Sequence, residues 1–166
     1  RVALPNHVQV FGGFVGSETN REERDWQAHE TVLDGNGRGP VASIVNSGYL
    51  QCSLDGFRIT NGVATNGGGV YCSFASPRLA NLVICGNTAT SSGGGVYIGY
   101  SAPALNNCRL LRNSAIIHGG GLHNYYSSAT LTSCTLSGNN AKSGGGVNNY
   151  YFSPRLVNCT LAGNSA

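Results

Sequence analysis

The chain has 166 residues, a formal net charge of +3 and only 10% charged side chains, against 40% hydrophobic ones and 25 glycines. The apolar fraction argues against disorder, and no apolar run is long enough for a membrane-spanning helix. The small charge, with no Lys/Arg cluster set among aromatics, argues against a nucleic-acid partner. Methionine is absent, and Gly, Ser, Thr and Asn serve as surface in place of Lys and Glu, which points to an extracellular or cell-surface setting.

Residues 1–40 read as irregular opening coils. Val8-Gln9-Val10-Phe11-Gly12-Gly13 and Val32-Leu33-Asp34-Gly35 look like strands, with a polar flank at 16–30 between them. In that flank Thr19 and Glu22 form a weak capping box, so a short helix or ordered loop is expected, anchored by Trp26. Glu22, Glu23 and Asp25 offer a ligand site as the sharper alternative to a solvated flank. Arg1 directly precedes strand-like sequence with no signal peptide, consistent with a removed leader or with a segment of a larger chain.

Residues 41–66 form a degenerate coil, in which Val45, Leu54, Phe57, Ile59 and Ala64 each precede an equivalent residue by 25 positions. From 67 to 166 the repeat is regular. A Gly-Gly-Gly-Val/Leu motif starts at Gly67, Gly93, Gly119 and Gly144, with spacings of 26, 26 and 25 residues. On that register Leu79, Leu105, Leu131 and Leu156 share a column. Leu82, Cys108, Cys134 and Cys159 share another, and Ile84, Leu110, Leu136 and Leu161 a third. Asn87, Asn113, Asn139 and Asn164 follow, and Ala89, Ala115, Ala141 and Ala166 close the unit.

Apolar and polar residues alternate within each unit, as in Cys108-Arg109-Leu110, which is a strand period; helical periodicity is missing. Each unit is two or three short strands joined by turns rich in Gly, Ser, Asn and Pro. One such coil cannot bury its own apolar face, whereas stacked coils pile equivalent side chains into a continuous interior. The expected fold is all-β: a single right-handed parallel β-helix of about six coils, about 25 residues each and about 30 Å long.

Three glycines in a row suit a corner with no room for Cβ atoms. A phosphate-cradling role for them lacks the strand–loop–helix context that such loops need. The Asn column suits a turn, because Asn tolerates left-handed backbone and can hydrogen-bond the next coil. Cys108, Cys134 and Cys159 read as a buried thiol stack, since parallel in-register Cβ vectors rarely permit the disulfide dihedral. No C-x-x-C spacing exists, and neither a metal nor a cofactor is expected.

Gly68-Gly69-Val70-Tyr71 and its copies, with Ile84-Cys85-Gly86-Asn87, Leu110-Leu111-Arg112-Asn113, Leu136-Ser137-Gly138-Asn139 and Leu161-Ala162-Gly163-Asn164, resemble the two motifs of polymorphic outer-membrane-protein-type β-helix repeats. Those motifs are Gly-Gly-Ala-Ile and Phe-x-x-Asn, with Ile or Leu here in place of Phe. Val10–Phe14 through Arg24-Asp25-Trp26 to Asp34-Gly35 is similar to the opening segment of large secreted bacterial β-helix proteins. The resemblance implies a secreted or surface protein, often adhesive.

All seven acidic residues lie between Glu18 and Asp55, and none follows Asp55. β-Helix polysaccharide hydrolases need paired carboxylates, and lyases an acidic calcium cluster, so no enzyme is expected. Arg58, Arg78, Arg109, Arg112, Lys142 and Arg155 read as unopposed cations. His118 and His123 flank the third glycine corner, with His123 standing as a surface substitution in the Tyr71–Tyr97 file. Phe74, Tyr100, Tyr126 and Tyr151 form a second aromatic column at a turn. These aromatics pack between coils or present a platform to a protein or glycan.

Open β-helix ends expose unpaired backbone, and a non-closing head-to-tail contact makes a filament. Two expectations follow: a non-enzymatic extracellular rod that self-associates, continues in a larger parent chain or acts as an adhesin stalk, and alternatively a carbohydrate-binding or carbohydrate-active β-helix.

Overall fold

The computed structural model describes residues 1–48 and 52–166; residues 49–51 of the degenerate coil lie outside them. The chain is a parallel β-solenoid with three six-stranded sheets, which gives five coil-to-coil steps. At about 4.8 Å per step the stack is about 24 Å from first to last strand.

The first sheet stacks Val2–Ala3, Ala42–Gly48, Val70–Ala75, Val96–Gly99, Leu122–Tyr125 and Val147–Tyr150. The second stacks Gln9–Phe11, Ser53–Asp55, Arg78–Ala80, Ala104–Asn106, Thr130–Thr132 and Arg155–Val157. The third runs from Thr31–Asp34 through Phe57–Thr60, Val83–Cys85, Arg109–Leu111 and Thr135–Ser137 to Thr160–Ala162. A fourth, short sheet of Val63–Asn66, Thr88–Ser92 and Ser114–Ala115 was not expected. Single bridges from Ser114 to Asn140 and from Asn140 to Ser165 carry it onward.

The predicted columns are ladder partners. Leu54, Leu79, Leu105, Leu131 and Leu156 pair in sequence along the second sheet. Ile59, Ile84, Leu110, Leu136 and Leu161 do so along the third. Each leucine or isoleucine with a coil on both sides is fully buried, which stabilises by about 1.5–3 kcal/mol per side chain. Cys108 and Cys134 lie buried at the corner between these sheets, and Cys159 is half-buried in the last coil. Their thiols point at backbone carbonyls, as Cys134 does at Thr132 and Leu105 (3.4 and 3.5 Å).

One register expectation fails. Ala42, not Val45, faces Val70, and Val45 pairs with Ser73. The strand shifts register between Val45 and Gly48, so this coil holds extra residues that a fixed 25-residue period does not anticipate. Val45 consequently points out and is 44% exposed.

The flank at 16–30 is mostly loop, with one 3-10 turn at Arg21–Glu23. Its N-cap is Asn20 rather than Thr19, because Asn20 has the extended backbone a cap needs and its side chain accepts the Glu22 N–H at 3.2 Å. Glu23 reaches back to the Thr19 N–H and hydroxyl. Among the described residues no helix is long and apolar enough to cross a membrane.

Candidate functional site: an aromatic spine and a tryptophan cleft

The repeat motifs join one coil to the next. At the second corner Gly93, Gly94 and Gly95 donate to the carbonyls of His118, Gly119 and Gly120 at 2.8–3.1 Å. Gly93 has φ +69°, and a Cβ on Gly94 would collide with the Ser114 and Gly120 carbonyl oxygens. Gly67, Gly119 and Gly144 repeat the positive φ.

Asn87, Asn113 and Asn139 are buried and form an amide ladder that Asn164 ends. Asn113 donates its side-chain amide to the Ile84 carbonyl (2.9 Å) and to the Asn139 carboxamide oxygen (3.1 Å). Asn87 treats Ile59 and Asn113 likewise, and Asn139 treats Leu110 and Asn164 likewise. None of the four has positive φ. The left-handed turn positions are instead the residues just before them, Gly86, Arg112, Gly138 and Gly163, and Asn81, Asn107, Ser133 and Asn158 one strand earlier. Burial explains the division: a ladder amide must face inward to be satisfied, whereas the turn position needs only backbone tolerance.

Phe74, Tyr100, Tyr126 and Tyr151 form a second ladder, on the outside. Successive rings stack at 4.9, 5.4 and 4.3 Å with interplanar angles of 7°, 11° and 20°. All four have positive φ, from 48° to 53°, an unfavourable conformation for bulky residues that the stacking offsets. Tyr125 and Tyr150 stack beside them at 5.3 Å and meet them edge-on. Tyr71 and Tyr97 stack at 5.3 Å, three residues before Phe74 and Tyr100 respectively in the same coils. Burial, with the neighbouring tyrosines, pushes the Tyr97 hydroxyl up to about 12.

His123 is buried rather than on the surface, a correction to its expected place. Its ring lies between Tyr97 (5.6 Å) and His118 (5.5 Å), because the glycine corner brings His118 over it. Burial, then the His118 charge, pulls its pKa down to about 4, although Asn148 hydrogen-bonds it. Nδ1 of both histidines is buried without a partner.

The cations expected to be unopposed are partly paired, because the opening segment folds back over the rod. Arg58 meets Glu30 at 3.3 Å, and Arg78 meets Asp55 at 3.2 Å. Asp55 is 3% exposed and also takes Arg24 and Asn81 at 2.8 Å each. Burial pulls the Asp55 carboxyl up, but the hydrogen bonds from Arg24, Asn81 and Arg78 outweigh it and hold it below its ordinary value. Of the acidic trio in the flank, Glu22 binds Arg21, Glu23 binds Thr19, and Asp25 accepts the Gln27 and Ala28 N–H groups, so the three do not converge.

This fold-back creates a feature that periodicity does not reveal. Trp26 separates two hollows. One, of about 620 Å³, is walled by Phe11, Arg21, Arg24, Asp55 and Arg78. The other, of about 330 Å³, is walled by Glu30, Arg58, Asn81, Asn107 and Arg109. A third groove, of about 470 Å³, follows the edges of Phe74, Tyr100, Tyr126 and Phe152. Among the described residues no three His, Cys, Asp or Glu side chains are grouped to hold a metal. Comparison with protein-family models, curated proteins and solved structures finds no match, so the functional reading rests on these residues.

Proposed function

We propose that the chain is a non-enzymatic rod of an extracellular or cell-surface protein that self-associates end to end or serves as an adhesin stalk. The observation that carries this reading is that the repeated glycine, asparagine and aromatic residues all bond or stack one coil onto the next. The spending of every repeated residue type on coil-to-coil contact supports a scaffold rather than a reactive surface. The extracellular setting rests on composition and on the resemblance to outer-membrane-type repeats, which also suggests an adhesin stalk.

The alternative, a carbohydrate-binding β-helix that uses Tyr100, Tyr126 and Tyr151, gains less from the geometry. Sugars stack on ring faces, and here the interior faces cover one another and leave mainly edges. Sedimentation velocity over a concentration series tests the rod reading. Association that grows with concentration and is lost in Leu161→Lys supports it; a monomer at every concentration overturns end-to-end self-association.

A further inference from the structure

We propose that the cleft on either side of Trp26 binds an acidic oligosaccharide, with a sugar ring on the indole and its carboxylates on arginine. Trp26 is half-buried and makes no ring–ring or cation–π contact among the described residues. In this it differs from the tyrosine ladder and from Phe11, whose ring already carries Arg21 and Arg24 at 4.9 and 5.1 Å. A half-buried indole that lines both hollows is suited to the flat C–H face of a sugar ring. The hollow volumes, about 620 and 330 Å³, lie within the usual range of about 300–1,000 Å³ for small-ligand sites.

The charge around the tryptophan sets the ligand class. Arg21, Arg24, Arg58, Arg78 and Arg109 line the two hollows against the carboxylates of Glu22, Glu30 and Asp55. Arg24 is committed to Asp55 and the Gly12 carbonyl. Arg109 is exposed and makes no ion pair among the described residues. Arg58 pairs only with an exposed Glu30, a contact that a ligand carboxylate can replace. Both Arg58 and Arg109 are ladder partners of Val83, so they stand two coils, roughly 10 Å, apart on one outward column. Two cations so spaced select a ligand with more than one carboxylate, and guanidinium groups suit carboxylates geometrically.

Hydroxyl recognition has a source as well. Asn107 donates to Asn81, and Asn81 donates to Asp55, both at 2.8 Å, so a chain of oriented amides borders the indole. Asn107 is itself exposed at the mouth. Aromatic face, paired cations and amides together describe a uronate-bearing saccharide better than a phosphate, which needs no stacking surface.

The chain holds one tryptophan, so its emission reports on this cleft directly. The intact chain is titrated with trigalacturonate and with its fully methyl-esterified form, and the variants are followed by calorimetry. The expected result is a saturable change in emission with the acid, at least about tenfold weaker binding of the ester, and weakening as salt is raised. Arg109→Ala weakens binding about tenfold with an unchanged circular dichroism spectrum, while Arg155→Ala, at the far end of the second sheet, leaves it unaltered. No emission change and no heat at millimolar acid, equal affinity for the ester, or full affinity in Arg109→Ala each overturns the proposal. These outcomes do not depend on whether the rod self-associates.

Discussion

Asn113 sits directly over Asn139: its backbone N–H and its side-chain amide both donate to the Asn139 carboxamide oxygen, at 2.9 and 3.1 Å. The Asn113 carboxamide oxygen accepts the same pair of bonds from Asn87. A buried polar column in an otherwise aliphatic interior is tolerated because every group in it has a partner. The same bonds fix the register of each coil on the next.

Removing one rung takes hydrogen-bond partners from several buried groups at once. Asn113→Ala removes the acceptor of the Asn87 backbone N–H and one partner each of the Asn87 side-chain amide and the Ile84 carbonyl, and is expected to lower stability by about 1–3 kcal/mol. The midpoint of urea unfolding at fixed slope measures this. An unchanged midpoint would show that the ladder does not hold the coils.

Corner glycines are expected to divide by what surrounds them. Gly94→Ala forces a Cβ into two backbone carbonyls and should prevent folding or cost more than about 3 kcal/mol. Gly138→Ala meets only the Arg112 side chain, at 3.3 Å, and Arg112 itself occupies the equivalent left-handed position one coil earlier. It should cost about 1 kcal/mol. Thermal unfolding of the two variants side by side checks the contrast.

The outer aromatic ladder combines backbone strain with stacking. Tyr126→Ala loses two face-stacked neighbours, Tyr100 and Tyr151, and keeps the strained φ of 48°. A loss of about 2 kcal/mol is expected. Tyr126→Gly removes the same rings but accepts the backbone, and should be the more stable of the two by several tenths of a kcal/mol to about 1. The reverse order would mean that the strain is not real.

His123 makes stability depend on pH. Its folded value of about 4 lies below the unfolded 6.5, so between these values the unfolded chain binds more protons. Stability from this group is complete above about pH 6.5 and is lost as pH falls towards 4, with a slope of at most about 1.4 kcal/mol per pH unit. His123→Tyr, which restores the residue of the two preceding coils, should flatten the profile in that window. Urea midpoints at successive pH values read the slope, and a wild-type profile flat from pH 7 to 4 contradicts the burial of a neutral imidazole.

The interior was legible because each column repeats a residue type at a constant spacing, and parallel ladders preserve spacing. Leu79, Leu105 and Leu131 are the simplest example. Val45 misled because a register shift inside one coil breaks the period without leaving a mark in residue type. His123 misled because its burial depends on His118 arriving from the other side of the corner. The Trp26 cleft was not visible, since it forms where a non-repeating segment folds across several coils. One signal pointed to it: carboxylates confined to the first third, facing a repeat that carries only cations. The expectation of unopposed repeat cations overlooked that signal, since Arg78 meets Asp55 at 3.2 Å.

Electron microscopy of the purified chain tests the rod account most directly. A single chain spans about 24 Å along the stack. The expected images show particles one coil wide, several times longer than that, and lengthening with protein concentration, with Leu161→Lys restricted to the single-chain length. Compact particles of single-chain length at every concentration, identical for wild type and Leu161→Lys, would contradict end-to-end self-association.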